Sequence, residues 1–326
     1  MKVLVTGAPG WLGTSLVEEL LKKKWKVRCL VLNGIEGKKL EKLGAEIIAG
    51  DLTRKETLGR AVEGIDIVFH CAGLIHPKRI KELYQVNYLG TKNLVDASIK
   101  AGVKKFIYVS SNSPAGCNKR RNIPLKETGS YNPYGNYGKS KMLAEKYVKK
   151  MQREGKIDTV IIRPCWFYGP NQPLRQTTFF SMIKKGNPFI FGNGKNLRSM
   201  TYIGNLVEAL LLAAEKKQAS GQTYWIADEK PYTTIEIYKT IAEILNVELK
   251  PRFLPKIVSA MCEMTDDILQ ALGFYVKEIH VAGEMDKDIA CSIEKAKKEL
   301  GYKPKISLME GMKNSIEWCR EQGVDI

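Results

Sequence analysis

Lys2-Val3-Leu4-Val5-Thr6-Gly7-Ala8-Pro9-Gly10-Trp11-Leu12-Gly13 is the stretch whose reading decides the fold. Residues 2–6 are an apolar, β-branched run of the kind that fills a strand covered on both faces. Glycines follow at positions 7, 10 and 13, and a helical pattern begins over Leu12–Lys24. Strand, glycine turn and helix in that order let a backbone approach a pyrophosphate. The helix start then offers unpaired N–H groups and a positive dipole end to the anion. A side chain at Gly10 is expected to block that approach. The spacing is G-x-x-G-x-x-G, not the G-x-G-x-x-G of the standard dinucleotide fingerprint, so the position between strand and helix carries the argument.

Working outward, the same alternation continues. Lys26–Leu32, Glu46–Ala49, Asp66–His70, Lys105–Ser110 and Thr159–Arg163 read as further strands. Helical stretches lie near Leu12–Lys24, Thr53–Glu63, Lys78–Ala101 and Asn136–Glu154. Alternating β and α predicts an α/β, Rossmann-type doubly wound parallel sheet. From about Pro164 the texture changes to loops rich in Gly, Pro and Asn, then a helix over Ile203–Lys217 and a strand over Thr223–Ala227 that can return to the sheet. The tail from Thr233 is largely helical. This predicts a cofactor domain of residues 1–165 with returning segments near 203–230, and a smaller, mostly helical C-terminal substrate domain of 166–202 and 231–326. Leu254–Gly273 is an apolar, Met-rich segment, read as a packed helix or as a lid over an apolar pocket.

The chain has 326 residues, enough for two domains, and its 44% hydrophobic and 27% charged content excludes wholesale disorder. The net charge is +17. The lysines are spread along the chain and no nucleic-acid motif occurs, so a solvated basic surface or attraction of a small anion is expected rather than a nucleic acid. No apolar run is long enough to span a bilayer and the start lacks signal-peptide architecture, so a cytoplasmic protein that is not integral to a membrane is expected. The seven widely spaced cysteines contain no C-x-x-C and read as reduced thiols; with three histidines, no metal site is expected.

Dinucleotide folds usually place an acid at the end of the second strand. Here that place holds Leu32-Asn33-Gly34. Asn33 can bond a ribose hydroxyl, and Lys38 and Lys39 can meet a 2′-phosphate, which leaves NAD and NADP both open with NAD favoured. Tyr137 and Lys141 stand at i and i+4 and share one helix face. A cationic lysine favours the phenolate, so the tyrosine becomes a proton donor or acceptor for an alcohol/ketone pair. Tyr88 and Lys92 repeat the spacing. However, Ser110-Ser111 ends the fifth strand, one crossover before Tyr137, and Tyr88 lacks such a partner.

With Gly50-Asp51-Leu52, His70-Cys71-Ala72-Gly73, Val86-Asn87-Tyr88-Leu89-Gly90-Thr91, Val109-Ser110-Ser111, Tyr137-Gly138-Lys139-Ser140-Lys141, Arg163-Pro164 and Arg198 with Tyr202-Ile203 added to the glycine turn, the whole chain resembles the extended short-chain dehydrogenase/reductases. That group includes nucleotide-sugar epimerases and dehydratases and 3β-hydroxysteroid dehydrogenase-like enzymes. The resemblance implies that Ser111 polarises the substrate oxygen, Tyr137 is the acid/base, and Lys141 tunes it and holds the nicotinamide ribose. It implies cofactor contacts from Gly7, Gly10, Trp11, Leu12, Gly13, Leu32, Asn33, Asp51, Leu52, Cys71, Ala72, Gly73 and Pro164. Without a family role, Asp51 would cap the following helix.

The dehydratases' Asp-Glu pair is replaced here by Asn112-Ser113, which disfavours dehydration. Trp166 stands where sugar epimerases commonly carry Asn, and either stacks on a substrate or packs. Arg198 resembles the arginine that holds a nucleotide sugar's diphosphate; the plain alternative is a pair with a carboxylate such as Glu208. Hydride transfer at a secondary carbon, with a nucleotide sugar as the favoured substrate, is the resulting expectation. The alternatives are a lipid or steroid-like alcohol, or a non-catalytic dinucleotide sensor. The resemblance also implies a homodimer through the helices near 79–101 and 136–154.

Overall fold

The structure is a computed structural model that describes residues 1–326 apart from Asn33 and Asp325; of Gly34, Ile35, Glu36, Leu174 and Arg175 only the backbone is described. The apolar runs form strands β1 (Lys2–Thr6), β2 (Lys26–Val31), β3 (Glu46–Ala49), β4 (Ile67–His70), β5 (Lys105–Val109) and β6 (Asp158–Pro164). Four short strands follow: β7 (Trp166–Tyr168), β8 (Phe189–Phe191), β9 (Leu197–Arg198) and β10 (Met200–Tyr202). β11 (Thr223–Ile226) then returns to the sheet, giving the order β11-β6-β5-β4-β1-β2-β3, with every pairing parallel. The strand order reverses between β1 and β4, the place where sheets of this kind bind ligands beyond the strands' carboxyl ends.

The first half carries helices α1 (Trp11–Lys22), α2 (Gly34–Lys42), α3 (Gly59–Val62), α4 (Ile80–Leu83), α5 (Thr91–Lys100) and α6 (Gly135–Arg153). α7 (Leu174–Lys184) and α8 (Ile203–Glu215) follow. One face of the sheet is covered by α1 and α8 through Leu16, Leu20, Leu206 and Leu210. The other is covered by α5 and α6 through Leu94, Val95, Ala144 and Val148. Runs buried on both faces must be continuously apolar, which is why they could be read from the sequence.

A third apolar cluster lies outside the sheet, with Phe180, Ile183, Ile237, Ile241, Met312 and Ile316 at its centre. It joins α7 to α9 (Thr234–Leu245) and α13 (Leu308–Glu321). α9 starts with a capping box: the Thr233 hydroxyl accepts from the Glu236 N–H and the Glu236 carboxylate accepts from the Thr233 N–H. β12 (Tyr232–Thr233) pairs with β9, and β13 (Arg252–Leu254) with β8. The remaining helices are α10 (Lys256–Ala271), α11 (Lys277–Glu284) and α12 (Glu294–Leu300). Among the described residues no helix is long and apolar enough to cross a membrane.

The α/β doubly wound sheet with a helical C-terminal region is as expected, and the local differences have causes. α2 was not expected, because Gly34 and Gly37 mask its helical pattern. The expected helix Thr53–Glu63 is a 3₁₀ turn, Lys55–Thr57, and the single turn α3. There the Thr57 hydroxyl is bonded to the Asp51 N–H at 3.0 Å and the Arg54 carbonyl at 2.8 Å, which holds the turn in place of a helix. Lys78–Ala101 is interrupted by a π-helical stretch, Tyr84–Gly90. Leu254–Gly273 is helical as α10, but its apolar side faces out and its polar side is buried. The cysteines are unpaired thiols, with Cys165 and Cys291 Sγ atoms 3.6 Å apart.

Candidate active site

The glycine turn between β1 and α1 lies against the chain leaving β4. Gly7 has φ +80°, and a Cβ there would stand 2.6 Å from the Ala72 nitrogen. Only glycine allows that close approach of two backbones. A Cβ on Gly10 would stand 2.6 Å from the Gly7 carbonyl oxygen. Gly10 is thus required by the closure of the turn itself, a nearer constraint than the approach of a pyrophosphate.

Gly10, the N-cap of α1, gives no side-chain cap and the first turn has no acid, so no carboxylate neutralises the helix's first N–H groups. Trp11 Nε1 donates to the Pro170 carbonyl at 2.6 Å, and its ring meets Phe167 edge-on, which ties the turn to the loop after β7. Leu12 is buried in the core.

Leu32 is exposed at the end of β2, and Asn33 lies outside the described residues. Asp51 Oδ1 accepts from the Thr53 N–H and hydroxyl, both at 2.8 Å, so one carboxylate oxygen holds a turn. Leu52 is buried beside it. The Cys71 N–H donates to the Thr6 carbonyl at 3.2 Å and the Ala72 N–H to the Thr6 hydroxyl at 3.3 Å. Gly73 follows, near the Lys141 ammonium. This loop is held by Asn87, whose Oδ1 accepts from the Leu74 N–H at 2.7 Å and whose Nδ2 donates to the Leu74 carbonyl and to Ser140 Oγ. Asn87 lies in the Val86–Thr91 stretch, where nothing in the local sequence marks it as holding a loop 13 residues away. Pro164 ends β6 opposite Ile226.

α6 carries Tyr137 and Lys141 to this edge. Lys141 Nζ donates to the Val109 carbonyl at 2.8 Å and lies 4.4 Å from the centre of the Tyr108 ring. Burial pulls its pKa down to about 7, against the upward pull of Glu145 and Cys71. One turn further on, Glu145 is buried against Arg163 at 2.8 Å and accepts from Tyr131 at 2.8 Å. Ser111 Oγ accepts from the Ser113 N–H at 3.2 Å.

Burial pushes the Tyr137 phenol up to about 12; a hydrogen bond with Ser111 pulls it down and Glu284 pushes it up. Burial outweighs the Ser111 hydrogen bond, so the lowering expected from Lys141 is not seen and the phenol is protonated at neutral pH. Lys92 of the competing Tyr88 pattern is bound to Asp96 at 2.7 Å and lies over Tyr147. His70 is buried between the Thr6 and Thr91 hydroxyls at 2.7 and 2.9 Å. Burial takes it down to about 3, so it stays neutral.

Of the expected substrate residues, Arg198 is buried, and Nη1 reaches Glu284 Oε1 at 3.3 Å while Nη2 donates to the Glu284 carbonyl. The partner is therefore Glu284 and not Glu208, which binds Lys305 at 2.9 Å. Trp166 packs on Phe179 with ring centres 5.6 Å apart in the third cluster.

The α10–α11 pair supplies groups the sequence reading missed. Asp266 Oδ2 is 2.7 Å from His280 Nδ1, and Gln270 Oε1 accepts from the Asn136 N–H at 3.0 Å and its side-chain amide at 2.8 Å. Asn136 is the residue before Tyr137. The His280 ring lies between those of Tyr134 and Tyr275, 5.5 and 5.4 Å away. The available signal was a second periodicity: Ser259, Asp266 and Gln270 recur at i, i+7 and i+11, on one helix face.

The model of the 3-beta hydroxysteroid dehydrogenase/isomerase family matches residues 4–256. The UDP-glucose 4-epimerase of Vibrio cholerae is 30% identical, over 97% of this chain and 94% of its own. The human sterol-4-alpha-carboxylate 3-dehydrogenase, decarboxylating, is 28% identical, over 97% of this chain and 87% of its own. Among solved structures, the Thermotoga maritima UDP-glucose 4-epimerase with UDP-glucose superposes with a TM-score of 0.81 at 26% identity, covering 99% of both chains.

Proposed function

Because the chain belongs to the 3-beta hydroxysteroid dehydrogenase/isomerase family, we propose that it is an NAD-dependent dehydrogenase acting reversibly at the secondary alcohol carbon of a lipid- or steroid-like substrate. The observation that carries the substrate class is the Arg198–Glu284 pair. The arginine that would meet a diphosphate is buried and already holds Glu284, whose side chain is 29% exposed. A diphosphate brought there would face Glu284 as a like charge, which is unfavourable at a partly buried site. An uncharged alcohol carries no such cost.

The glycine turn fits a dinucleotide, since Gly7 lets two backbones close on each other and α1 starts uncapped. Gly7, Gly10, Trp11, Leu12 and Gly13 would hold the pyrophosphate. Leu32, Asp51, Leu52, Cys71, Ala72, Gly73 and Pro164 would line the rest, and Lys141 the nicotinamide ribose. NAD supplies or takes the hydride. Ser111 holds the substrate oxygen by a hydrogen bond. Tyr137 exchanges the proton with that oxygen, and its protonated resting state sets it up as the donor for ketone reduction. In the oxidative direction the phenol must first lose its proton, and the Lys141 cation favours that loss. Lys39 flanks a cavity beside Pro9, Trp11 and Thr14, so NADP belongs in the same assay.

A second reading, epimerisation of a nucleotide sugar, is favoured by the UDP-glucose-bound Thermotoga neighbour and the Vibrio relative. The two separate by competition. Oxidation of a 3β-hydroxysteroid panel with NAD is expected, and UDP at millimolar concentration is expected to leave it unchanged. Competitive inhibition by UDP together with interconversion of UDP-sugars overturns the apolar-substrate reading.

A further inference from the structure

α6 begins without a cap of its own. Its N-cap residue is Tyr134, whose side chain gives no cap hydrogen bond, and its first turn has no acid. An N-cap side chain ordinarily accepts from the second or third N–H of the helix. Here those N–H groups belong to Asn136 and Tyr137, since α6 starts at Gly135. Left without an acceptor, the helix would fray at the very turn that places Tyr137.

The missing acceptor comes from α10. Gln270, 134 residues on from Asn136, accepts through Oε1 from the Asn136 N–H at 3.0 Å and from Asn136 Nδ2 at 2.8 Å. Asn136 Oδ1 in turn accepts from the Tyr84 hydroxyl at 2.6 Å. The residue before Tyr137 is thus held by two elements outside its own helix.

Gln270 has one way to stand. Its Nε2 donates to Asp266 Oδ2 at 2.6 Å, one turn earlier on α10, and the same oxygen lies 2.7 Å from His280 Nδ1 on α11. A flipped amide would set its oxygen against the carboxylate and its NH2 against the Asn136 N–H. Gln270 and Asp266 are 6% and 3% exposed, so a lost partner is not readily replaced by water. The His280 ring packs on Tyr134, which brings α11 against the same turn. A Cβ on Gly135 would stand 3.4 Å from Gln270 Nε2 and 3.5 Å from His280 Cε1.

We propose that Gln270 is a positioning residue that caps α6 from the C-terminal region and fixes where Tyr137 stands, with the Asp266–His280 pair orienting its amide. The role of Gln270 rests on Tyr137 as the proton-exchanging group and holds for either substrate class. Asn136 and Tyr137 are consecutive, so a shift of Asn136 passes to Tyr137 through one peptide unit. A misplacement of about 1 Å from a change away from the chemistry can cost roughly a hundredfold in rate. Neither dinucleotide nor substrate needs the Gln270–Asn136 bonds in order to bind, so the loss falls on kcat. Tyr137 then stands correctly only while α10 and α11 are seated on α6, which ties the chemistry to the C-terminal region.

The test is Gln270→Met, which keeps the length of the side chain and removes the acceptor. The activity read is oxidation of the 3β-hydroxysteroid panel by NAD, or interconversion of UDP-glucose if the panel is not turned over. A fall in kcat of about ten- to a hundredfold is expected, with KM and dinucleotide affinity close to the parent's. The Asn136 amide is expected to lose protection from hydrogen exchange. On a Tyr137→Phe background the same substitution is expected to add little, because changes that act through one group do not add. Circular dichroism checks folding, and Gln270→Ser, too short to reach Asn136, serves if the methionine variant does not fold. Unchanged exchange of the Asn136 amide overturns the proposal without any substrate. So does an unchanged kcat in the folded variant, and so does a raised KM with kcat kept, which would put Gln270 in substrate binding. A full further fall on the Tyr137→Phe background overturns the positioning role alone. A parent-like kcat in Tyr137→Phe itself overturns the reading of Tyr137, and the role of Gln270 with it.

Discussion

α8 and α10 are both amphipathic helices, and they face opposite ways. α8 buries Leu206, Val207, Leu210 and Leu211 against the sheet. α10 buries Ser259, Asp266 and Gln270 and turns Ile257, Met261, Met264 and Ile268 outward. Periodicity determines which residues share a face, but the neighbours decide which face goes in. β5 and β6 offer α8 an apolar surface. α11 and the start of α6 offer α10 carbonyls, an imidazole and an amide, and a buried polar side chain with such partners is not penalised as an orphan would be. Tyr137 sits where the two kinds of packing meet.

The comparison can be broken first at that meeting point. Tyr137→Phe keeps the ring in place and removes the proposed proton donor. A fall in kcat of ~10²–10⁴-fold is expected with dinucleotide affinity nearly unchanged, as measured by steady-state kinetics and calorimetry. A kcat within tenfold of the parent would remove Tyr137 from the chemistry. The control Tyr88→Phe should be close to silent.

The next largest effect tests the two helices directly. Leu210→Ala in α8 opens a cavity under the sheet and should cost ~2–5 kcal/mol in urea unfolding. Met264→Gln in α10 replaces an exposed apolar side chain and should change stability by less than ~0.5 kcal/mol. Equal losses would mean that α10 packs as α8 does.

The third effect is smaller and concerns a polar group buried in the sheet half. Lys141 has a pKa lowered to about 7 from 10.5, chiefly by burial. Between those values the unfolded chain binds a proton that the folded chain does not, so stability is lost as pH falls from 10.5 through 7. Lys141→Met should therefore be inactive yet more stable than the parent at pH 7, by at least ~1 kcal/mol. Its advantage should shrink as pH rises toward 10. A gap in melting temperature that does not change with pH would show that the lysine is not desolvated.

The elements legible in the sequence were those built from short apolar runs, whether buried as in β1 and β11 or partly exposed as in the edge strand β3. β1, β3 and the returning β11 match runs with no polar interruption, and their order follows from the alternation with helices. The spacing of Tyr137 and Lys141, and the position of Ser111 at a strand end, are local facts that survive any rearrangement elsewhere. α2 was missed because its glycines weaken the helical pattern, and the π-helical stretch around Asn87 because periodicity does not report a change of hydrogen-bond register.

Only the tertiary structure decided what those local features meet. Arg198 lies 86 residues from Glu284 along the chain, and nothing in either neighbourhood chooses Glu284 over Glu208. The Tyr137 phenol is raised, not lowered, because burial outweighs the hydrogen bond with Ser111 and Glu284 adds to it. The direction of α10 depends on Asn136, His280 and Asp286, each from another part of the chain. The sequence determined the sheet, the glycine turn and the spacing of the candidate catalytic groups, since each depends on contacts within a few residues or on burial of a whole run. Partners, protonation and the outward face of α10 came from folding, because desolvation and charge pairing act between groups that only the fold brings together.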